Sequence, residues 1–580
     1  MSMPDPLPLT AHERRELWWF VLFALVLVAA GIGLRDPWPA DEPRFVLVAR
    51  QMFESGQWLF PQRGIELYSD KPPVMFWLLA AGYALVRNWR IAFLLPSLLA
   101  SLATLVLVWD LGRRLWNHRA GLYSALAVLF AFQFMYQAKR AQIDPLVVCW
   151  ITLANWGLLL HLLRGPNWRA WWLGCCAAGI GVITKGVGFL ALLMLLPYAW
   201  ARLRGWDGVT RTQDAAWRWA LGALAFLAPI LAWGGAVLLA AKVSGSAAHA
   251  AYVDDLFLRQ TAGRYAASWT HVQPAWYFLP VLLFHWLPMS LAYPAALPRW
   301  WRAWREREPR VVLPLAWSLL VLVFFSIPAG KRDVYLLPAL PMVALALAPY
   351  WDAILRARWL RLTAFWMALL TGLACIGVAA WAWGDHAGAA QAWLQRRELA
   401  DHAQAVWALV LLVGIGFALA AVLLRPRRGV AALLAGMSVL WLAWSLVAQP
   451  LVNDASSAAA LMRQARALAG PDVELGLVAW KEQNLLMAQG PVRDFGFRAP
   501  WPLQFERASA WLAQAPAQRR IFILQDALQR MGDCIDASHA QYVGRANRRE
   551  WWLLGADAVV RGCVPAQAAG NGEAAGDDDD

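Results

Sequence analysis

Apolar runs of roughly 17 to 25 residues, the length that a helix needs to cross a bilayer, recur along the first 450 residues. Short polar segments rich in arginine separate these runs. The first run, residues 17–34, follows Arg14 and Arg15 and continues into Arg35 and Asp36 without a small-residue cleavage site. We therefore interpret it as an uncleaved signal-anchor helix with its N-terminus in the cytoplasm.

The arginine clusters between the apolar runs predict how the helices are oriented. If every cluster faces the cytoplasm, two crossings must lie between each consecutive pair of clusters. A shorter apolar run, residues 74–86, is too short to cross, so we expect an interfacial or re-entrant helix over 74–87. The pattern then predicts about 13 crossings, with the N-terminus inside, the C-terminus outside, and Arg87 and Arg90 outside. The predicted crossings are residues 17–34, 91–110, 119–137, 142–163, 170–183, 187–202, 217–241, 274–297, 310–328, 334–350, 359–383, 405–424 and 430–448.

Composition agrees with a polytopic α-helical membrane protein. Of all residues, 60% are hydrophobic and 39 are tryptophan, and the mean hydropathy is +0.44. The formal net charge is +14, and the arginine residues that contribute to it lie in short clusters between apolar runs and not along one face of a soluble region. Orientation in a membrane explains such clusters, so membrane lipids are expected as partners and nucleic acid is not.

The first polar segment, residues 36–73, is unusually long for a loop between membrane helices. It carries the adjacent carboxylates Asp41 and Glu42, followed by several further charged and aromatic groups. A polar loop of this length needs either its own packing or a function. The groups that follow are Arg44, Arg50, Tyr68, Asp70 and Lys71.

The predicted topology brings this loop and four other polar segments to the outer face. Ionisable groups at a membrane boundary are costly and usually functional. Cations there can hold a phosphate, while a carboxylate such as Asp41 can deprotonate an acceptor hydroxyl or position a metal. Nucleotide sugars are cytoplasmic, and the sequence has no glycine-rich phosphate loop, so an outward-facing site would need a lipid-linked donor. The candidate phosphate-binding cations are Lys71, Lys185, Lys331 and Arg332.

Six short motifs, spread along the chain in the order of the family, resemble segments of the GT-C membrane glycosyltransferases, especially family 39. The resemblance is greatest to the 4-amino-4-deoxy-L-arabinose transferases that modify lipid A, and more distant to the bacterial protein O-mannosyltransferase-like branch. It implies an inner-membrane enzyme that uses an undecaprenyl-phosphate sugar donor and a periplasmic acceptor. The motifs are DEPRF at 41–45, YSDKPP at 68–73, AQIDP at 141–145, TKG at 184–186, HVQPAWY at 271–277 and KRDVYLLP at 331–338.

The resemblance also implies roles for individual residues. Asp41 would be the catalytic carboxylate with Asp144 as its partner, and the neighbouring Glu42 is a third catalytic candidate. Lys71, Lys331 and Arg332 would hold the donor phosphate, with Lys185 as a further candidate. The expected substrate-binding residues are Arg44, Tyr68, Arg264, His271 and Tyr335.

A divalent metal is the one cofactor that the resemblance raises. Some relatives bind a metal through an acidic residue before the Lys-Pro pair and a histidine in the loop before the eighth span. Asp70 fits the first position, but Gln260 and Thr261 stand at the second, where the expected histidine is missing. His271 could replace it only if the loop folds back, so the sequence leaves the metal undecided.

The chain changes character beyond Pro450. Short β-like stretches, at 474–480, 521–525 and 550–554, alternate with helical patterns such as 456–469. We expect residues 451–566, called the C-terminal domain below, to form a small periplasmic α/β domain, followed by a disordered acidic tail at 567–580. Cys534 and Cys563 would then lie in an oxidising compartment, where a disulfide is favoured over two unrelated thiols.

Two other functions remain open at this point. A transporter or flippase of lipid-linked sugars would share the helices and the outer cations but would not require the carboxylate pair in the first outer loop. A protein O-mannosyltransferase-like enzyme would share the chemistry and differ in its acceptor.

Overall fold

The computed structural model describes residues 8–212, 215–257, 271–385, 388–397, 399–560 and 562–563. Helices dominate up to residue 456. The described residues form two β-sheets, and the larger of them lies in the C-terminal domain. Seven helices in the described part of the chain are long and apolar enough to cross a membrane, or up to ten if each bent pair is one span. The seven are Trp89–Leu115, Ile143–Arg164, Ala216–Ser244, Pro309–Ser326, Arg358–Trp383, Ala400–Leu424 and Pro426–Leu451.

Three of the predicted crossings are sharply bent helix pairs. The bends measure 70°, 95° and 42°. Pro288 and Pro349 lie at the second and third breaks, where a missing backbone N–H interrupts the helical hydrogen bonds. The pairs are His118–Phe130 with Phe132–Ala138, Phe278–His285 with Met289–Arg305, and Asp333–Ala346 with Ala348–Arg356. Two further predicted crossings are covered by the helix Trp168–Lys185 and the shorter helix Gly188–Leu203.

The first helix, α1 (Ala11–Ala29), ends earlier than the apolar run predicts. Gly31 and Gly33 follow it with φ angles of +89° and +84°, a left-handed conformation that favours glycine. A Cβ on Gly31 would also lie only 2.6 Å from the backbone oxygen of Ser445. The run 17–34 is therefore only partly helical, because its last residues turn the chain towards the polar loop.

The polar loop folds into small elements of its own. Helix α2 (Glu42–Ser55) begins after Asp41 and ends at Gly56, which has a φ of +70°. A two-stranded hairpin, β1 (Gln62–Arg63) and β2 (Glu66–Leu67), follows. The predicted interfacial helix is present as α3 (Val74–Val86). Arg90, just beyond it, pairs with Asp36 at 2.6 Å, so this cation is tied to the start of the loop.

The C-terminal domain contains a five-stranded sheet flanked by helices. Its strands are β3 (Glu474–Val478), β4 (Val492–Asp494), β5 (Arg519–Leu524), β6 (Gln541–Ala546) and β7 (Arg549–Leu554), in the order β4-β3-β5-β7-β6. The pairs β3–β4 and β3–β5 are parallel, whereas β5–β7 and β6–β7 are antiparallel. The three stretches predicted as strands coincide with β3, β5 and β7. The main helices are Ala459–Ala469, Glu482–Met487, Trp501–Gln514 and Gln525–Arg530.

Cys534 and Cys563 form the disulfide expected from the sequence, with their Cα atoms 5.3 Å apart. The bond ties the end of the described chain to the segment before β6. The four other cysteines are free thiols in or near the apolar helices.

Candidate active site

Asp41 lies at the junction between α1 and α2, as the N-cap residue of α2. Arg44 stands one turn further along the same helix, and its Nη1 atom is 3.6 Å from Oδ1 of Asp41. About a fifth of the Asp41 side chain is exposed (20%), whereas the Arg44 side chain is almost fully buried. Asp41 therefore has a carboxylate that a substrate can reach, beside a fixed cation.

Cations from separate segments act on Asp41. Burial raises the pKa of this carboxyl group, but Arg44, Arg332 and Lys71 together outweigh burial and hold the pKa below its ordinary value. A hydrogen bond from the side chain of Gln142 acts in the same direction. The fold thus brings residues from the first loop, from the segment before Asp144 and from the late KRD motif to one carboxylate.

Glu42, the second carboxylate of the DEPR motif, has a different environment. It is fully buried and accepts two hydrogen bonds from the guanidinium group of Arg35, at 2.5 and 2.7 Å. The backbone N–H groups of Trp38 and Ala141 also donate to it, each at 2.9 Å. Burial raises the pKa of Glu42, and the charge and hydrogen bonds of Arg35 lower it further than burial raises it. We therefore infer a positioning role for Glu42 in place of the predicted catalytic one, because both of its oxygens already accept hydrogen bonds.

Asp144 and Lys185 form a pair with each other. The Nζ atom of Lys185 lies 2.5 Å from Oδ1 of Asp144, and both side chains are partly exposed. The same ammonium group lies 5.5 Å from the ring centroid of Tyr335. The structure therefore brings three predicted site residues from three motifs together, and the charge of Lys185 is compensated by the carboxylate of Asp144.

The two neighbouring cations of the KRD motif are placed differently. Lys331 is buried, and its ammonium group donates to the backbone oxygens of Gln273, Pro328 and Ala329 at 3.1, 2.7 and 3.4 Å. Arg332 is exposed and lies close enough to Asp41 to lower its pKa. We therefore infer a structural role for Lys331 in place of the predicted phosphate contact, because its ammonium group lies within hydrogen-bond distance of three carbonyl oxygens.

Tyr68 is completely buried behind the loop. Its ring packs edge-on against Phe76 and lies under the guanidinium group of Arg63, 5.2 Å away. Burial, helped by the charge of Asp70, raises the pKa of the Tyr68 hydroxyl. Tyr68 therefore packs inside the first loop, and its predicted contact with substrate stays a prediction.

Asp70, the candidate metal ligand, belongs to a network of ion pairs. Its Oδ1 atom lies 2.8 Å from Nη2 of Arg498, and its Oδ2 atom lies 4.0 Å from Nη1 of Arg63. Two guanidinium groups beside one carboxylate do not fit a cation-binding site. In the described ranges, which omit 258–270, no group of three histidine, cysteine or acidic residues is placed to hold a metal ion.

His271, another predicted substrate-binding residue, lies where two of the motifs meet. His271 accepts a hydrogen bond at its backbone oxygen from the N–H of Lys331, at 3.0 Å, which joins the HVQP and KRD motifs. Val272 and Gly330 form an isolated antiparallel bridge beside it. Arg264 lies outside the described residues, as do Gln260 and Thr261.

Sequence reasoning missed several charged residues around the site. Arg35 and Arg63 were visible in or beside the first loop, but nothing in their spacing marked them as partners of specific carboxylates. Glu482 and Arg498 come from the C-terminal domain and touch the loop across more than 400 positions of sequence. Asp255, which accepts a hydrogen bond from Ser69, could not be distinguished from an ordinary loop charge.

The helical architecture and the polar cluster at the helix ends define a GT-C membrane fold. The crystal structure of ArnT from Cupriavidus metallidurans bound to undecaprenyl phosphate superposes with a TM-score of 0.71 at 21% identity. The match covers 93% of this chain and 98% of that one. The apo structure of the same protein superposes equally well, with a TM-score of 0.71.

Sequence comparison finds similar proteins among the bacterial arabinosyl transferases. The chain is 32% identical over 350 residues to the undecaprenyl phosphate-alpha-4-amino-4-deoxy-L-arabinose arabinosyl transferase of Pseudomonas aeruginosa strain UCBPP-PA14. The match covers 57% of this chain and 59% of the relative. The enzyme of the same name from Pectobacterium carotovorum is 30% identical, with 61% and 62% covered. The chain thus spans less than two thirds of the length of these relatives.

A family profile matches a shorter region. Residues 70–233 match the family described as dolichyl-phosphate-mannose-protein mannosyltransferase. Together with the arabinosyl transferase relatives and the ArnT fold, this match confirms the family resemblance drawn from the six motifs.

Proposed function

We propose that this protein is a glycosyltransferase of the bacterial inner membrane that transfers a sugar from undecaprenyl phosphate to a periplasmic acceptor. The sugar is 4-amino-4-deoxy-L-arabinose, which the names of the similar transferases contain, and the acceptor is lipid A, as the sequence resemblance implies. The observation that carries the proposal is the placement of Asp41, a partly exposed carboxylate, among Arg44, Lys71 and Arg332.

The geometry supports separate roles for the cations, which bind the donor phosphate, and for Asp41, which accepts a proton. Arg332 and Lys71 bind the donor phosphate through charge-assisted hydrogen bonds. The acceptor hydroxyl attacks the anomeric carbon, the bond from that carbon to the phosphate oxygen breaks, and undecaprenyl phosphate leaves. Asp41 takes the hydroxyl proton. The arriving phosphate offsets the cations that depress the pKa of Asp41, which makes this carboxylate a stronger base when donor is bound.

The proposal includes a topology of 13 crossings with the site and the C-terminal domain in the periplasm. If each bent pair is one span, the seven long helices and the three bent pairs give ten crossings, and we assign the other three to α1, Trp168–Lys185 and Gly188–Leu203. The disulfide between Cys534 and Cys563 supports an oxidising location for the domain. The ion pair of Arg90 with Asp36 supports an outer position for Arg90 despite the positive-inside rule.

A second candidate differs only in its acceptor. The profile match over residues 70–233 favours a protein O-mannosyltransferase-like activity, in which a serine or threonine hydroxyl would replace the lipid A hydroxyl. Mass spectrometry of lipid A and of periplasmic glycoproteins from a deletion strain separates the two. Loss of aminoarabinose from lipid A supports the first proposal, and loss of a protein-bound hexose supports the second.

Transfer by purified protein in detergent tests the reaction itself. With a labelled polyprenyl-phosphate sugar and lipid A, the wild type should form labelled lipid A, and Asp41→Asn should be slower by about 10²–10⁴-fold. Wild-type amounts of product from Asp41→Asn would remove Asp41 from the mechanism. A protein that moves the labelled lipid across vesicles without forming a product would instead be a flippase.

A further inference from the structure

Seven charged side chains around the first loop alternate in sign from one neighbour to the next. Asp41 is followed by Arg44, and Arg44 Nε donates to Oε1 of Glu482 at 3.0 Å. The same Glu482 oxygen lies 3.1 Å from Nη1 of Arg63. The network continues through Asp70 and Arg498 to Asp255, with Arg498 Nη1 3.6 Å from that last carboxylate.

Glu482 joins Arg44 to Arg63 in this network and comes from the C-terminal domain. Its side chain is 3% exposed, and the guanidinium groups on either side of it are 8% and 6% exposed. An ion pair in such a poorly hydrated setting is costly to break, because the remaining charge is left unpaired. Arg63 is fixed independently by stacking on Phe497, 3.8 Å from the ring centroid, whereas Arg44 is the member that reaches Asp41.

The distances show how Arg44 is shared between two carboxylates. It is closer to Glu482, at 3.0 Å, than to Asp41, at 3.6 Å. A guanidinium group that formed a short bidentate pair with Asp41 would occupy the oxygens that a substrate hydroxyl has to reach. Arg44 therefore bridges the two carboxylates, with Nε on Glu482 and Nη1 facing Asp41.

We propose that Glu482 is a positioning residue that holds Arg44 back from Asp41 and so keeps the Asp41 carboxylate available to the acceptor. The C-terminal domain is then a component of the active site and not an appendage. This inference rests on the proposed function, since it assigns Glu482 a part in the same transfer reaction.

Replacing Glu482 with glutamine should slow the transfer and shift its pH dependence, because it changes the charges around Asp41. Removing the negative charge of Glu482 and releasing Arg44 towards Asp41 both lower the pKa of Asp41. The other groups that face Asp41, namely Lys71, Arg332 and Tyr68, are unchanged. The acid limb of the pH–rate profile should therefore move to lower pH, and kcat should fall by roughly ten-fold or more because a weaker base accepts the proton less readily.

Two further variants separate positioning from general stability. Glu482→Asp keeps the charge and should retain the wild-type acid limb, with activity partly restored. Glu474→Gln removes a carboxylate that pairs with Arg519 in the same domain, 3.5 Å away and outside the network. It should leave both kcat and the pH profile unchanged. A merely structural role for Glu482 would lower the yield of folded protein without moving the acid limb.

Hydrogen exchange provides a readout that does not depend on turnover. Loss of the link to Glu482 should accelerate amide exchange in the first turn of α2, about ten-fold in Glu482→Gln, with no change in Glu474→Gln. If the wild type transfers no sugar, the proposed function fails, the role of Glu482 in transfer fails with it, and exchange decides only whether Glu482 holds Arg44 and the first turn of α2 in place. If the wild type is active while Glu482→Gln matches Glu474→Gln in rate, pH profile and exchange, Glu482 has no positioning role.

Discussion

Replacing Arg332 with alanine should weaken binding of the lipid phosphate without unfolding the protein. Arg332 is exposed and acts on Asp41 through its charge, so its removal leaves no buried group unpaired. A charge-assisted hydrogen bond to phosphate contributes about 1.5–3 kcal/mol, which corresponds to a roughly 10- to 150-fold higher Kd for undecaprenyl phosphate. Arg332→Lys should recover only part of this loss, because an ammonium group lacks the planar fork that binds two phosphate oxygens.

The neighbouring Lys331 provides a matched comparison of opposite character. Its ammonium group is buried and donates to three backbone oxygens of the two segments that it joins. Lys331→Ala leaves those carbonyl groups without this donor and should reduce the free energy of unfolding by on the order of 2–3 kcal/mol. The Kd of the protein that remains folded should change by less than about three-fold, since the lost contacts do not reach the phosphate.

The two variants are compared in detergent by two measurements on the same preparations. Titration with undecaprenyl phosphate reports the Kd, and loss of monodisperse protein on heating reports stability. Arg332→Ala should change the first and Lys331→Ala the second. The reasoning is refuted if Lys331→Ala raises the Kd as much as Arg332→Ala does while stability is unaffected.

Two other predictions follow from buried contacts. Glu42→Gln should destabilise the protein by about 3–5 kcal/mol, because it leaves the buried charge of Arg35 unpaired; Glu54→Gln, an exposed position on the same helix, is the control for heating experiments. Arg35 depresses the pKa of Glu42 by more than burial raises it. The ionised Glu42 therefore contributes fully to stability above the ordinary carboxyl pKa, and this contribution is lost as the pH falls through the lower pKa of the folded state. Acid should then abolish the difference in stability between the wild type and Glu42→Gln. Cys534→Ser should cost roughly 3–4 kcal/mol in the chain-entropy model, since the bond closes a separation of 29 residues. Peptide mapping of protein from intact cells should find the Cys534–Cys563 pair, whereas two thiols that react only with a membrane-permeant reagent would place the domain in the cytoplasm.

The six motifs are visible in the sequence because each motif records a local requirement, and the structure brings residues from several of them together. A carboxylate at a helix N-cap, a lysine beside a proline pair and a turn ending in glycine are all visible over a few residues. The sequence therefore indicated the GT-C resemblance, the first loop as the centre of the site, and Asp41 as its reachable carboxylate. It ranked Asp41 above Glu42 through the resemblance alone, because two adjacent carboxylates look alike in sequence and only the structure shows that Glu42 pairs with Arg35.

The sequence by itself determined which segments are apolar enough to be helices in a membrane and which polar motifs lie between them. Hydrophobic run length and charge are local quantities, so these features need no knowledge of distant contacts. Only the tertiary structure decided what each charged side chain faces. Lys331 and Arg332 are neighbours in the chain, yet one meets carbonyl groups and the other meets Asp41. Glu482 reaches Arg44 from the far end of the chain, because the energy of an ion pair depends on distance and burial in space and not on separation in sequence.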